Sequence, residues 1–205
     1  MEISLTNIGR RFNRDWIFRG INYSFSEGNS YAILGRNGSG KSTLLQIIAG
    51  SLTPSEGYIE FRAGGQPLDA EELFESLTIA APYLELIEEL TLSEMIDFHF
   101  KFKPYLNNID KTGLLDLLDL QNSKNKALKY FSSGMKQRTK LALAICSDTP
   151  VLLLDEPASN LDSQAIAWYH DLITNFSANR IVIVCSNQEY EYDFCEHRIN
   201  LSDYK

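Results

Sequence analysis

The 205-residue sequence has little cysteine, no long apolar run and no excess of positive charge, and each absence excludes a class of protein. Its three cysteines lack the spacing of a metal site and cannot all pair with one another, so we expect reduced thiols in a cytosolic protein. The apolar runs are too short to span a bilayer, and residues 1–6 lack the layout of a secretory signal. The net charge of −8 argues against a nucleic acid or an anionic lipid as the partner.

The pattern of apolar residues changes twice along the chain. Alternating apolar residues predict antiparallel strands at residues 3–5 and 21–25. From about residue 84 to residue 147 the pattern is mostly helical, and strands and helices alternate again after Pro150. With 44% hydrophobic residues the chain has enough apolar surface for a sizeable interior. We therefore predict a single domain over residues 1–205, with a helical block of about 84–147 inserted in its core.

The most informative motif present is G-R-N-G-S-G-K-S at Gly35–Ser42, between a strand-like and a helix-like apolar run. It is the phosphate-binding loop G-x-x-x-x-G-K-[ST] in the strand–loop–helix context that this loop requires. Glycines let backbone N–H groups converge on phosphate oxygens, and the helix that follows adds its positive N-terminal end. Lys41 is expected to reach the β- and γ-phosphates, and the Ser42 hydroxyl to bind Mg²⁺. The predicted contacts of the nucleotide are Gly35, Arg36, Asn37, Gly38, Ser39, Gly40, Lys41, Ser42 and Thr43.

A second motif, V-L-L-L-D-E-P at Val151–Pro157, argues against a chance glycine loop. A continuous apolar run that ends in acidic residues is typical of a buried parallel strand that brings a carboxylate to the edge of a sheet. Ligands of such sheets lie beyond the carboxyl ends of the strands. We therefore predict that Asp155 binds Mg²⁺ and that Glu156 orients or deprotonates the attacking water. Together the two motifs predict a site for ATP and Mg²⁺.

The helical block ends in F-S-S-G-M-K-Q-R at Phe131–Arg138, some 20 residues before the Val151 strand. This segment resembles the signature motif L-S-G-G-Q of the ATP-binding cassette (ABC) ATPases, in a variant that ends S-S-G-M-K-Q-R. The sequence A-S-N-L-D at Ala158–Asp162 resembles the loop that follows the catalytic Glu in that family. The motifs stand in the family's order, and the resemblance extends over essentially the whole chain.

The resemblance implies an α/β fold: a P-loop NTPase core with an antiparallel β-subdomain and an inserted α-helical signature subdomain. In the family the signature completes the ATP site of a second cassette in a head-to-tail pair, so Ser132 and Gly134 are expected to contact its γ-phosphate. Taken alone, the same residues also form an ordinary helix N-cap. The pair is a homodimer or a heterodimer of cassettes. An integral membrane transporter subunit would hold the cassette on the inner, cytoplasmic face of the cell membrane.

Three positions depart from the family pattern. The aromatic residue that stacks on adenine is best matched by Phe12, with Trp16 as the rival, although a Phe packed in the β-subdomain explains the residue equally well. The family glutamine that senses Mg²⁺ and the membrane partner is missing from I-A-A-P-Y-L at residues 79–84, where Pro82 stands nearest its place. Glu85 could supply an oxygen ligand there only if the loop shifts.

Asn187 occupies the place of the family's switch histidine. An asparagine can donate a hydrogen bond to a phosphate oxygen, but it carries no charge and exchanges no proton. Glu156, Lys41 and Asn187 are therefore the predicted catalytic residues of an ATPase that binds ATP normally and hydrolyses it slowly. The leading function is the ATPase subunit of an ABC transporter. The alternatives are a non-transport ABC ATPase and a nucleotide-gated regulatory module with little turnover.

Overall fold

The computed structural model describes residues 1–106 and 109–205 and divides the chain into two compact units. Unit 1 comprises residues 1–79, 150–156 and 179–205, and unit 2 comprises residues 80–149 and 157–178. The helical block expected at about 84–147 lies in the first segment of unit 2. Residues 157–178, whose helix the sequence assigns to the β/α alternation after Pro150, also cluster with the helical unit.

The first sheet of unit 1 is antiparallel, with strand order β2-β1-β4-β5. Its strands are β1 (Glu2–Phe12), β2 (Asp15–Ser26), β4 (Glu56–Ala63) and β5 (Gln66–Pro67). Strands β1 and β2 form a hairpin in which Leu5 pairs with Tyr23 and Phe12 pairs with Asp15. Ile3 and Leu5 are both buried, since every second residue of a strand faces the same side. The predicted antiparallel strands at the start of the chain are confirmed.

The second sheet of unit 1 has the order β6-β7-β8-β3-β9, and the pairs β7–β8, β8–β3 and β3–β9 are parallel. Its strands are β3 (Ser30–Leu34), β6 (Leu77–Ala80), β7 (Val151–Asp155), β8 (Ile181–Cys185) and β9 (His197–Asn200). Strands β7 and β8 are buried along their whole length, as continuous apolar runs predict. The phosphate loop, Glu156 and Asn187 follow the carboxyl ends of β3, β7 and β8, so the sheet brings them to one edge.

Two helices complete unit 1: α1 (Lys41–Ile48) and α2 (Ala70–Ser76). Helix α1 packs Leu44, Leu45, Ile47 and Ile48 into the hydrophobic core that underlies both sheets. Helix α2 begins with a capping box of Asp69 and Glu72.

Unit 2 contains the helices α3 (Leu92–His99), α4 (Lys111–Leu118), α5 (Ser133–Ile145) and α6 (Ser163–Phe176). Thr91 and Glu94, which have the spacing of a capping box in the sequence, open α3: the Glu94 N–H donates to Thr91 Oγ1 at 3.2 Å, and the Thr91 N–H donates to Glu94 Oε2 at 2.8 Å. Helix α3 ends at His99, and Phe100 forms its C-cap. Leu92, Ile96 and Leu114 lie in a separate core that also contains residues of α5.

Among the helices in the described part of the chain, none combines the length and the apolar character that a bilayer span requires.

Candidate active site

The backbone of the phosphate loop takes conformations that favour glycine. Gly40 has φ 104°, and a Cβ on it would lie 2.4 Å from Ile17 Cγ2 of strand β2. Gly35 has φ 154°, and its Cβ would lie 2.5 Å from Ser39 Oγ. The Ser39 N–H donates to the Arg36 carbonyl at 2.9 Å, which closes a turn inside the loop. The loop therefore needs glycine for close approach as well as for its backbone angles.

Lys41 brings a buried positive charge to this loop. Its side chain is 5% exposed, and Nζ donates to the Gly35 carbonyl at 2.8 Å and to Asn187 Oδ1 at 3.2 Å. Both acceptors are neutral, so they satisfy the N–H groups without neutralising the charge. A buried ammonium in this arrangement favours an anion as its partner.

Asp155 brings a buried carboxylate to the same sheet edge. It is 2% exposed, and its Oδ1 atom has no hydrogen-bond partner within the described structure. Burial raises the pKa of Asp155, while a hydrogen bond with the side chain of Ser42 and the charge of Lys41 lower it. A carboxylate oxygen and a serine hydroxyl are hard ligands of the kind that Mg²⁺ uses together with substrate phosphates. The unpartnered oxygen beside this hydroxyl fits a divalent cation.

Glu156 lies in a backbone conformation that is rare for its residue type. Its φ is 45°, whereas the other non-glycine residues with positive φ in the described ranges are Asn or Asp. The Glu156 N–H donates to the Cys185 carbonyl at 2.9 Å, which ties the turn to strand β8. Such strain is concentrated at functional sites. The turn places Glu156 on a cavity of about 220 Å³ that Lys41, Ser42 and Thr43 also line.

Asn187 contacts the phosphate loop through both ends of its side-chain amide. Its Oδ1 accepts from Lys41, and its Nδ2 donates to the side-chain oxygen of Asn37. The two amides and the ammonium form a chain of hydrogen bonds that contains a single charge. Asn37, a predicted loop contact, therefore also connects the loop to Asn187.

The structure separates the two aromatic candidates on the β1–β2 hairpin. The ring of Trp16 packs on Gly9, where an added Cβ would lie 2.9 Å from Cζ3, and its centroid lies 4.7 Å from the Arg19 guanidinium carbon. Phe12 is 48% exposed and has the Arg10 guanidinium carbon 4.6 Å from its ring centroid. Ile17 of this hairpin lines the cavity that Lys41 lines. The ring of Phe12 is thus more exposed than that of Trp16, which packs on Gly9.

The signature residues lie in unit 2. Ser132 is the N-cap of α5, and its Oγ accepts from the Met135 N–H at 3.2 Å. Gly134 approaches the loop after Glu156 closely, because a Cβ on it would lie 3.2 Å from the Asn160 carbonyl oxygen. Buried Gln137, which sequence reasoning missed, donates to the Pro157 carbonyl at 2.7 Å. Gln137 lies one turn into α5, and this position in the sequence could have indicated a side chain close to the start of the helix.

The stretch that lacks the family glutamine also lies mostly in unit 2. Lys140 Nζ donates to the Ala81 carbonyl at 3.3 Å. Burial lowers the pKa of Lys140, and the charge of Glu85 opposes that shift. The carboxylate of Glu85 therefore acts on a lysine of its own unit.

The predicted site residues thus fall into two groups. Those that unit 1 brings together around the cavity and the Lys41 network are Asn37, Gly38, Gly40, Lys41, Ser42, Thr43, Asp155, Glu156 and Asn187. Ser132 and Gly134 belong to unit 2.

Comparison with known proteins gives the same family from several directions. The family model described as ABC transporter matches residues 18–159. The chain is 32% identical over 196 residues to a cytochrome c biogenesis ATP-binding export protein of Agrobacterium fabrum, covering 92% of this chain and 90% of that protein. It is 34% identical over 199 residues to a sulfate/thiosulfate import ATP-binding protein of Mesostigma viride, covering 92% of this chain and 56% of that protein.

Among solved structures, the dimeric structure of a bacterial ABC transporter cassette is similar in fold. It matches with a TM-score of 0.79 at 24% identity, covering 97% of this chain and 94% of that chain.

Proposed function

The chain belongs to the ABC transporter family, and from that membership we propose how its site works. The protein is the ATP-binding and ATP-hydrolysing subunit of an ABC transporter. Relatives named for import and for export cover most of the chain, so neither a non-transport cassette ATPase nor a purely regulatory module is favoured.

One observation carries the proposal for nucleotide binding. Lys41 is buried and donates hydrogen bonds to neutral oxygens, and it lies at the same sheet edge as Asp155, whose buried Oδ1 has no hydrogen-bond partner within the described structure. We assign the β- and γ-phosphates to Lys41 and to the N–H groups of the loop Gly35–Thr43. Ser42 and Asp155 would hold Mg²⁺, which when bound supplies charge neutralisation between the phosphates. The exposed ring of Phe12 would take the adenine by stacking.

Glu156 is the residue we assign to water activation. Glu156 lines the same cavity as Lys41 and Ser42, so a water bound in that cavity would lie next to the base and to the phosphate-binding groups. Asn187 supports the γ-phosphate through its amide and through its hydrogen bond to Lys41. Since an amide adds no positive charge to the transition state, the chemical step should be slower than with a histidine at this position.

The second half of the catalytic site comes from another cassette in this proposal. The N-terminus of α5, with Ser132 and Gly134, would contact the γ-phosphate that a neighbouring cassette holds. Free N–H groups and the helix dipole suit an anion, and Ser132 is exposed. ATP then joins two cassettes, either two copies of this chain or this chain and a different one, and hydrolysis releases them.

The partner that couples closure to transport is a separate integral membrane subunit in this proposal. The chain would then act on the inner face of the cell membrane, held there by that subunit. We propose that the membrane subunit also sets the substrate and the direction of transport, because the relatives include one named for export and one named for import.

The variant Glu156→Gln tests the site and the pair together. The amide keeps the size of the side chain but cannot accept the proton of the water, so ATP hydrolysis should fall by at least about 100-fold while ATP binding persists. Light scattering of the variant with excess ATP should then show a stable dimer that ADP does not produce. A variant that stays monomeric with saturating ATP contradicts the paired site, and one that keeps full turnover contradicts the role of Glu156.

A further inference from the structure

The β1–β2 hairpin concentrates positive charge in an acidic protein. Residues 10–19 contain four of the nine arginines of the chain and a single acidic residue, Asp15. The formal charge of this segment is +3, in a chain whose net charge is −8. The assigned phosphate contacts do not account for this concentration.

The hairpin packs directly on the phosphate loop. Ile17 lines the cavity next to Lys41, and an added Cβ on Gly40 would also lie 3.1 Å from Cδ1 of Phe18. Residues 10–19 therefore include one residue on the wall of the cavity assigned to the triphosphate, and Arg14 lies three positions from it in the chain. At this range, within roughly one to two Debye lengths at low salt, exposed charges still act on a highly charged ligand.

The four arginines differ in how much of their charge is compensated. Arg19 is paired with Glu56, with Nε 2.6 Å and Nη2 3.2 Å from its carboxylate oxygens. Arg10 donates to the Thr53 carbonyl at 3.0 Å and lies over Phe12. Arg11 is exposed, with its guanidinium carbon 5.6 Å from the ring centroid of Trp16, and its charge adds less than the directly bonded Arg19 to the lowered pKa of Glu56. Arg14 is exposed at the tip of the hairpin, next to Asn13, whose φ of 55° forms the turn.

We propose that Arg11 and Arg14 attract the nucleotide electrostatically by its phosphate groups before it binds to the phosphate loop. This inference rests on the proposed function, because it names how the same site acquires its substrate. The rest of the chain repels a polyphosphate, and a local basic patch reverses that field at the entrance of the site. Exposed guanidinium groups also suit phosphate recognition, since they hold several N–H donors in one plane.

Association kinetics of fluorescent N-methylanthraniloyl-labelled ATP, ADP and AMP test the proposal without Mg²⁺. In the double variant Arg11→Gln/Arg14→Gln, the association rate of labelled ATP at low salt should fall by about tenfold. The decrease should become smaller from ATP to ADP to AMP, because the attraction scales with ligand charge. The difference in association rate between the double variant and the unaltered chain should nearly vanish at about 0.3 M salt. The matched control is Arg62→Gln on β4. In the sheet, Arg62 lies opposite Glu2, at the end of β1 that is farthest from residues 10–19.

Unchanged association rates in the double variant, or equal decreases for all three nucleotides, would overturn the proposal, since a structural defect does not depend on ligand charge. A comparable decrease in Arg62→Gln would overturn it as well. The proposed function fails in a different way: the unaltered chain would then bind no labelled ATP at any salt concentration.

Discussion

Two helix N-termini are assigned to phosphate in this protein, and they differ in what surrounds them. Helix α1 of unit 1 begins at Lys41 and shares its cavity with Ser42 and Glu156. Helix α5 of unit 2 begins after an exposed Ser132 whose hydroxyl already accepts a hydrogen bond from its own helix. The first combines a charged lysine with the carboxylate that we assign to catalysis, whereas we assign only N–H groups to the second. In the proposal, unit 1 therefore binds the nucleotide, and unit 2 acts on a phosphate that another cassette holds.

Removing the charge of unit 1 should have the largest effect. Lys41→Ala deletes the buried ammonium, so ATP affinity should fall by at least about 100-fold, because charge-assisted hydrogen bonds to phosphate are lost. Isothermal titration with ATP measures this loss. Lys140→Ala in unit 2 is the matched control and should leave ATP affinity unchanged. Equal affinities of Lys41→Ala and the unaltered chain would remove the basis for the site.

Adding charge to unit 2 should abolish pairing and leave binding intact. Asp is as good an N-cap as Ser, so Ser132→Asp keeps α5 stable but places a carboxylate against the partner's γ-phosphate. In the Glu156→Gln background this change should weaken the ATP-dependent dimer by at least about 100-fold, as measured by analytical ultracentrifugation. Ser132→Thr is the control and should still pair. A dimer that forms equally well with Asp at this position would show that α5 does not contact the phosphate.

Restoring a titratable group beside Lys41 should speed hydrolysis. Asn187→His adds an imidazole that can carry charge near neutral pH, so turnover should rise by about tenfold or more. The turnover of this variant should also change with pH near 6.5. The turnover of the unaltered chain should not change there. Steady-state phosphate release across pH 6 to 8 measures both effects. If turnover is ordinary before the change and the same after it, Asn187 does not limit the reaction.

The smallest effect concerns the acid stability of unit 2. Burial lowers the pKa of His99 to about 4, and its Nε2 lies 2.9 Å from Ser147 Oγ. Because the unfolded chain binds this proton below about pH 6.5 and the folded chain does not, stability is lost as pH falls from about 6.5 towards about 4. Between pH 7.5 and 5.5 the loss attributable to His99 should be about 1 kcal/mol.

Urea unfolding of His99→Gln at the two pH values measures this contribution, which should disappear in the variant. His197→Gln, an exposed histidine of unit 1, should keep the full pH dependence. A pH dependence that is the same with and without His99 would contradict the assignment.

Strong local patterns made much of the fold and half of the site predictable. The loop at Gly35–Ser42 and the capping box of Thr91 specify their local structure through bonds between near neighbours, and the continuous apolar run before Asp155 indicates a buried strand by its composition. Weaker signals were missed: the short strands β6 and β9 each have only four residues. The sequence could not decide whether Phe12 or Trp16 is the candidate for stacking on adenine, since both rings offer a π face. The two rings differ in the structure because Trp16 packs on Gly9.

The order of motifs along the chain determined the family and predicted the residues that we assign to phosphate binding, because each motif is a local arrangement of glycines, acids and hydroxyls. Only the tertiary structure decided the burial, the hydrogen-bond partners and the backbone conformation of those residues. It buries Lys41 against neutral oxygens, leaves Asp155 Oδ1 unpartnered and holds Glu156 at a positive φ. These features depend on strands β3, β7 and β8 lying side by side, although residues 34, 155 and 185 are far apart in the chain. Burial and unpaired charge arise from such long-range packing, which no local pattern encodes.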